Sequence, residues 1–97
     1  MTFVNNLKGY KIVLTSSAKK EISKINKSDT QKIKLKLSDL VTGKQNLDIK
    51  KIEGKKQPTY RLRAGNYRII YEVLKKEIIV KVVRIGPRKN VYNFLER

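Results

Sequence analysis

The sequence predicts a small α+β domain in which a helix pair covers one face of an antiparallel sheet. Two observations support this prediction: residues 58–92 alternate at strand spacing around a glycine turn, and two helix-like stretches precede them. The chain has 97 residues, a length that suits a single domain, 1–97, with one modest core. The predicted order is one strand, two helices, three antiparallel strands and a short C-terminal helix.

The central hairpin is predicted from Gly65-Asn66, which fits a two-residue turn with glycine at the position that needs a positive φ. Side chains that lie directly opposite each other on one face of such a strand pair pack together. The predicted register forms three core pairs, namely Ala64 with Tyr67, Leu62 with Ile69 and Tyr60 with Tyr71.

The same register places three arginines, Arg61, Arg63 and Arg68, on the opposite face of the hairpin. Arg63 falls directly across from Arg68. Like charges in a cross-strand pair are mildly destabilising, so this pair indicates an anionic ligand. Spacing alone leaves the alternative open that these arginines only solvate an outer sheet face.

The N-terminal part is predicted to contain the first strand and the first helix. Residues 1–9 are expected to form a flexible lead-in, and the alternation in Tyr10–Leu14 is typical of a strand. A short amphipathic helix follows, because apolar residues recur at helical spacing after a run of hydroxyl residues. Its candidate caps are Thr15, Ser16 and Ser17, and its apolar positions are Ala18, Ile22 and Ile25.

The second helix is predicted to begin at Ser28, since Ser28 and Gln31 have the spacing of a capping box. Gly43 stands where a left-handed C-terminal cap is expected. We expect the two helices to form a tight antiparallel pair. The apolar stripe of the second helix consists of Ile33, Leu37, Leu40 and Val41.

The C-terminal part is predicted from breaks in the apolar pattern. Residues 44–57 form a basic connection, with a short extended piece at residues 47–52. The third strand of the hairpin region spans residues 78–85 and is expected to stop at Gly86-Pro87. Residues 88–97 have the apolar spacing of a terminal helix.

The charge of the chain is strongly unbalanced. It contains 24 Lys and Arg residues against 8 Asp and Glu, a net charge of +16, which implies a polyanion or an acidic partner. The chain has no Cys and no His, which excludes thiolate nucleophiles, disulfides and histidine bases. We therefore expect no metal and no cofactor. No stretch resembles a membrane span or a signal peptide, and we expect a cytoplasmic protein.

A family resemblance is carried by two runs of the sequence, LDIKKIEGKKQPTYRLRAGNYRIIYEV and VVRIGPRKNVY. They resemble the RelE/ParE superfamily of toxins from type II toxin–antitoxin systems, and the RelE branch in particular. The resemblance implies a ribosome-dependent endoribonuclease, an mRNA interferase, that cuts mRNA in the ribosomal A site. In the implied reaction a ribose 2′-hydroxyl attacks the adjacent phosphate and the 5′-hydroxyl of the next nucleotide leaves.

The resemblance also implies roles for individual residues. Arg68 matches the transition-state arginine of the family, and Arg88 matches its second catalytic arginine. Arg61 lies where RelE-type toxins often have a catalytic lysine. Tyr92 matches an aromatic residue that stacks on a base and assists proton transfer, although packing of the terminal helix is an alternative role. The positions that we expect to bind RNA are Lys50, Lys51, Lys55, Lys56, Arg63, Lys81, Arg84 and Lys89.

Three positions depart from the family pattern. Arginine is poorly suited to act as a base, so Arg61 does not inherit that role from a lysine. Thr59 occupies a position that is basic in the RelE prototype, and Lys55 or Lys56 is the candidate substitute. Pro87 stands where many relatives carry a histidine.

The resemblance implies a cognate antitoxin as the main protein partner. The ribosome and mRNA are the expected targets, and operator DNA is an expected ligand of the toxin–antitoxin complex. Two other functions remain open at this point. One is a ParE-like toxin that blocks DNA gyrase without nuclease activity, and the other is a general nucleic-acid-binding module.

Overall fold

The fold consists of two helices and five strands, as a computed structural model that describes residues 7–44 and 46–87 shows. The predicted α+β class is therefore confirmed. In chain order the elements are β1 (Lys11–Leu14), α1 (Ser16–Ser23), α2 (Lys27–Val41), β2 (Ile49–Ile52), β3 (Thr59–Ala64), β4 (Tyr67–Leu74) and β5 (Ile79–Pro87).

All five strands form one sheet in the order β1-β5-β4-β3-β2. The strands β2 to β5 pair antiparallel, whereas β1 pairs parallel to β5 at the opposite edge. Two parallel strands that pair need a crossover connection between them. In this chain α1 and α2 form the first part of the connection from β1 to β5. The short extended piece predicted at residues 47–52 is an edge strand, β2, paired with the first half of β3.

The predicted hairpin register is confirmed in full. Gly65 has φ 62°, and the three predicted core pairs and the Arg63–Arg68 pair are all Cα partners. The predicted end of the last strand is wrong, since Gly86 and Pro87 lie within β5, opposite Arg68 and Tyr67. Ile78, predicted to begin that strand, lies in the preceding turn with φ 58°.

The helix starts are set by side-chain caps. Among the three candidate caps of α1, Thr15 is the N-cap, because its hydroxyl accepts a hydrogen bond from the Ala18 N–H at 3.1 Å. The predicted start of α2 at Ser28 is wrong. Asn26 caps α2 two residues earlier, accepting from the Asp29 N–H at 2.8 Å. Gly43 follows the end of α2 with φ 81°, as predicted.

The two helices cover one side of the sheet, which we call the inner face. α1 packs mainly on β5, whereas α2 packs on both β3 and β1. Leu7 is buried in the core, so the predicted flexible lead-in does not extend to it. Apolar side chains from both layers bury a continuous core that excludes water. Its buried members on the sheet are Tyr60, Leu62, Ala64, Ile69, Tyr71, Val73, Val80, Val82 and Ile85.

The predicted C-terminal helix, residues 88–97, lies outside the described residues. Within the described residues, no helix is long and apolar enough to cross a membrane.

Candidate functional site

The side of the sheet away from the helices, which we call the outer face, collects charged residues. Strand pairing sets them in rows across β3, β4 and β5. The row nearest the hairpin turn holds Arg63, Arg68 and Gly86. The next row holds Arg61, Ile70 and Arg84, and a third holds Thr59, Glu72 and Lys81.

Arg68 is a buried cation in the first row. It is only 7% exposed, and its Nη1 donates a 3.3 Å hydrogen bond to the Tyr67 carbonyl. Its Nε is buried and makes no hydrogen bond with the described residues. Among those residues, no carboxylate lies within 4.0 Å of its guanidinium nitrogens. Arginine keeps its charge in proteins and a buried cation normally requires an anion, which the described part of the chain does not supply to Arg68.

Arg61 and Arg63 share one carboxylate. Nη2 of Arg61 lies 2.8 Å from Oδ1 of Asp48, and Nη1 of Arg63 lies 3.8 Å from Oδ2. The Arg61 side chain is 13% exposed and its Nε makes no hydrogen bond with the described residues, whereas the Arg63 side chain is 54% exposed. The three arginines, which we call the arginine cluster, therefore carry three positive charges against one negative charge.

The centre of the outer face is an apolar side chain that has no exposed surface. Ile70 has no exposed surface, although it points away from the helices, and Arg61 and Arg84 stand on either side of it in the sheet. The sequence left two roles open for the arginines of the outer face, namely solvation of the sheet surface and binding of an anionic ligand. The burial of Arg68 and Ile70 argues against solvation alone. Gly86, which carries no side chain, is the register partner of Arg68 on β5.

The two β5 cations away from the cluster have acidic partners. Lys81 Nζ lies 4.0 Å from Glu72 Oε1, and Arg84 Nε lies 2.8 Å from Glu21 Oε2. Glu21 Oε1 also accepts the Ile85 N–H at 2.8 Å, so this α1 carboxylate caps the edge of β5 beyond the end of β1. Lys81 and Arg84, both predicted to bind RNA, thus have acidic partners within the chain.

The remaining predicted site residues fall into two groups. The exposed lysines lie on β2 and in the loop after it, close in sequence to the arginine cluster; they are Lys50, Lys51, Lys55 and Lys56. Thr59 is buried and its hydroxyl donates to the Gln57 carbonyl at 2.8 Å. Arg88, Lys89 and Tyr92 lie outside the described residues.

Sequence reasoning missed Asp48 and Glu21, since nothing distinguished them from the other acidic residues of the chain. Asp48 directly precedes β2, whose pairing of Ile49 with Leu62 brings it beside Arg63. Treating residues 49–52 as a paired strand supplies the register that identifies Asp48. For Glu21 no local pattern signals the contact, because it depends on how α1 packs against β5.

The family of the chain follows from its sequence. A family model described as the ParE toxin of type II toxin–antitoxin systems, parDE, matches residues 12–92. The chain belongs to this family. The RelE/ParE resemblance read from the two sequence runs is thereby confirmed. A search of curated proteins found no match.

Solved structures add a likeness to RelE toxins. The antitoxin–toxin complex RelB–RelE from Methanococcus jannaschii is 28% identical, with a TM-score of 0.69, covering 84% of this chain and 96% of that chain. The archaeal RelE–RelB complex from Pyrococcus horikoshii is 26% identical, with a TM-score of 0.67 and coverages of 81% and 94%. The isolated E. coli RelE toxin, at 24% identity, TM-score 0.66 and coverages of 91% and 96%, shows the shared fold alone.

Proposed function

We propose that this ParE-family toxin is a ribosome-dependent endoribonuclease of the RelE type, which inhibits translation by cutting mRNA. The observation that carries the proposal is Arg68, a buried cation with no carboxylate partner among the described residues. A bound anionic ligand would stabilise such a cation. A phosphodiester fits, because the guanidinium fork matches two phosphate oxygens.

The chemistry assigned to the site is attack of a ribose 2′-hydroxyl on the adjacent phosphate. The new bond joins O2′ to phosphorus, and the bond from phosphorus to the 5′-oxygen of the next nucleotide breaks. Negative charge accumulates on the phosphate oxygens in the transition state. Arg68 lies on a central strand and is already desolvated, so it stabilises this charge without reorganisation.

The other roles are proposals on the same basis. Arg61 supplies a second cation, and Arg88 a third, at a position outside the described residues. Tyr92 stacks on a base and assists proton transfer. Lys55 or Lys56 remains the candidate amine for a base, since both are exposed in the loop before β3. Dependence on the ribosome fits a chain without histidine, because ribosomal groups then complete the proton transfers.

The proposed protein partner is an antitoxin. Support comes from the two archaeal structures above, both of which are complexes of RelE with RelB, and from the net charge of +16. An acidic segment that covers the outer face would neutralise the arginine cluster. We also propose that the toxin–antitoxin complex binds operator DNA.

A second candidate is gyrase inhibition without nuclease activity. It is favoured by the family match, because the matching family model is that of the ParE toxin. The occupant of position 87 also favours it, because proline offers no group for acid–base catalysis.

The deciding experiment is primer extension on a reporter mRNA in a purified translation system, with and without ribosomes. We compare the wild type with Arg68→Ala and with the control Lys19→Ala, which removes an exposed cation from α1. Cuts that need ribosomes, vanish in Arg68→Ala and persist in Lys19→Ala support the proposal. Absence of cuts at inhibitory concentrations, together with loss of gyrase supercoiling activity, would establish the second candidate instead.

A further inference from the structure

Asp48 holds a fixed place beside the arginine cluster. Its carbonyl accepts the Arg63 N–H at 3.0 Å, and β2 begins at the next residue. Its side chain therefore starts from a backbone position that the sheet defines. From there its two oxygens reach two different arginines, Arg61 at 2.8 Å and Arg63 at 3.8 Å.

This arrangement resembles the binding of a phosphate. A phosphodiester also offers two oxygens to which neighbouring guanidinium groups donate hydrogen bonds. Arg61 and Arg63 are two residues apart on β3, about 6.8 Å along the strand, so one anion between them can contact both. The Asp48 carboxylate occupies the place where such an anion would bind.

Among the described carboxylates, Asp48 alone forms ion pairs with two arginines. Glu21 pairs with Arg84 and caps a backbone N–H of β5, and Glu72 pairs with Lys81. The Asp48 side chain is 53% exposed, so its ion pairs are screened by solvent and weak enough for a polyanion to replace.

We propose that Arg61 and Arg63 form a second phosphate subsite, adjoining that of Arg68, and that Asp48 fills it until a single-stranded RNA displaces the carboxylate. The inference rests on the proposed function for its ligand class, RNA. It adds a second phosphate-binding position and a carboxylate of the chain itself, Asp48, that competes with the phosphate for that position. Arg63 stands directly across from Arg68, so the two subsites are neighbours on adjacent strands. Successive phosphates of one strand occupy them.

The test is binding of a short 2′-O-methyl oligouridine, measured by fluorescence anisotropy over a range of salt concentrations without ribosomes. The oligonucleotide has no free 2′-hydroxyl at its internal positions, so binding is separated from cleavage. The variant is Asp48→Asn, which keeps the shape and removes the charge. The matched control is Glu53→Gln, the same charge change at an exposed carboxylate that forms no ion pair with the described residues.

Asp48→Asn is expected to tighten binding about twofold to fivefold relative to Glu53→Gln, the range that corresponds to an exposed ion pair. The slope of log K against log salt should be nearly the same for the two variants, because the RNA neutralises the same number of phosphates once the carboxylate has been displaced. In an Arg63→Ala background the gain should shrink, because the subsite then lacks one of its two arginines.

Equal affinities of Asp48→Asn and Glu53→Gln would overturn the proposal, since only net charge would then matter. Weaker binding by Asp48→Asn would overturn it too and would make Asp48 a positioning residue for Arg61. Asp48→Ser provides a second neutral variant if the first does not fold. If the wild type does not cut mRNA but Asp48→Asn still binds the oligonucleotide more tightly than Glu53→Gln, the proposed nuclease activity is refuted. The second phosphate subsite is then supported independently of that activity.

Discussion

Each face of the sheet buries polar atoms that make no hydrogen bond with the described residues, and a comparison of one such atom from each face separates a structural cost from a functional one. On the inner face the atom is the Tyr71 hydroxyl, beneath the helices and stacked on Tyr60 with ring centroids 5.5 Å apart. On the outer face it is Arg68 Nε, beside other cations and a glycine. Tyr71 is surrounded by apolar core and serves packing, whereas Arg68 has an arrangement that suits an anion.

The largest effect is expected for Arg68→Met, which keeps much of the volume and removes the charge. Ribosome-dependent cleavage should fall by about 100-fold to 1,000-fold, the usual loss when a preorganised transition-state donor is removed. The free energy of unfolding should rise by about 1 kcal/mol or more, because a buried unpaired charge is lost. Primer extension and urea denaturation measure the two quantities. Loss of both activity and stability would show that Arg68 serves the fold.

The next effect is expected on the inner face. Tyr71→Phe should raise the free energy of unfolding by about 1–3 kcal/mol, since it removes a buried donor without a partner. Cleavage should stay at the wild-type level. Tyr60→Phe is the matched control, because the Tyr60 hydroxyl is not among the buried unbonded atoms. A destabilised Tyr71→Phe would mean that the hydroxyl has a partner after all.

The same hydroxyl predicts a pH dependence. Burial, and secondarily the neighbouring Tyr60, raise the pKa of Tyr71 well above its usual range. Above about pH 10 the unfolded chain releases this proton while the folded chain keeps it, so stability is complete below that pH and falls above it. The expected slope reaches about 1.4 kcal/mol per pH unit. Urea denaturation of wild type and Tyr71→Phe at alkaline pH should give slopes that differ by this amount; parallel slopes would contradict the assignment.

The smallest effect is expected in the third row of the outer face. Lys81 is paired with Glu72 at 4.0 Å and its side chain is 43% exposed. Lys81→Ala should therefore change the free energy of unfolding by less than about 1 kcal/mol and cleavage by less than about fivefold. Thermal unfolding and primer extension provide the values. A loss of cleavage as large as that expected for Arg68→Met would show that the functional site also includes the third row of the outer face.

The hairpin was predictable because Gly65 and strict alternation determine its register locally, and the register in turn locates Arg68 and Arg63. The start of α2 was not, since Asn26 and Ser28 are both competent caps and packing decides between them. Burial of Arg68 and the contacts of Asp48 depend on strands that meet across the sheet. The alternation of residues along one strand does not indicate which other parts of the fold cover that strand.

The parallel pairing of β1 with β5 has a consequence for synthesis of the protein. Thr15 bonds to Val83 across 68 residues of sequence, so the N-terminal strand has no partner until β5 has been translated. Closing such a long connection is slow compared with forming the local hairpin, and the ribosome adds about 5–20 residues per second. The nascent chain therefore displays its lysine-rich helices for seconds before the sheet closes, and the toxin fold is complete only after β5 has been translated.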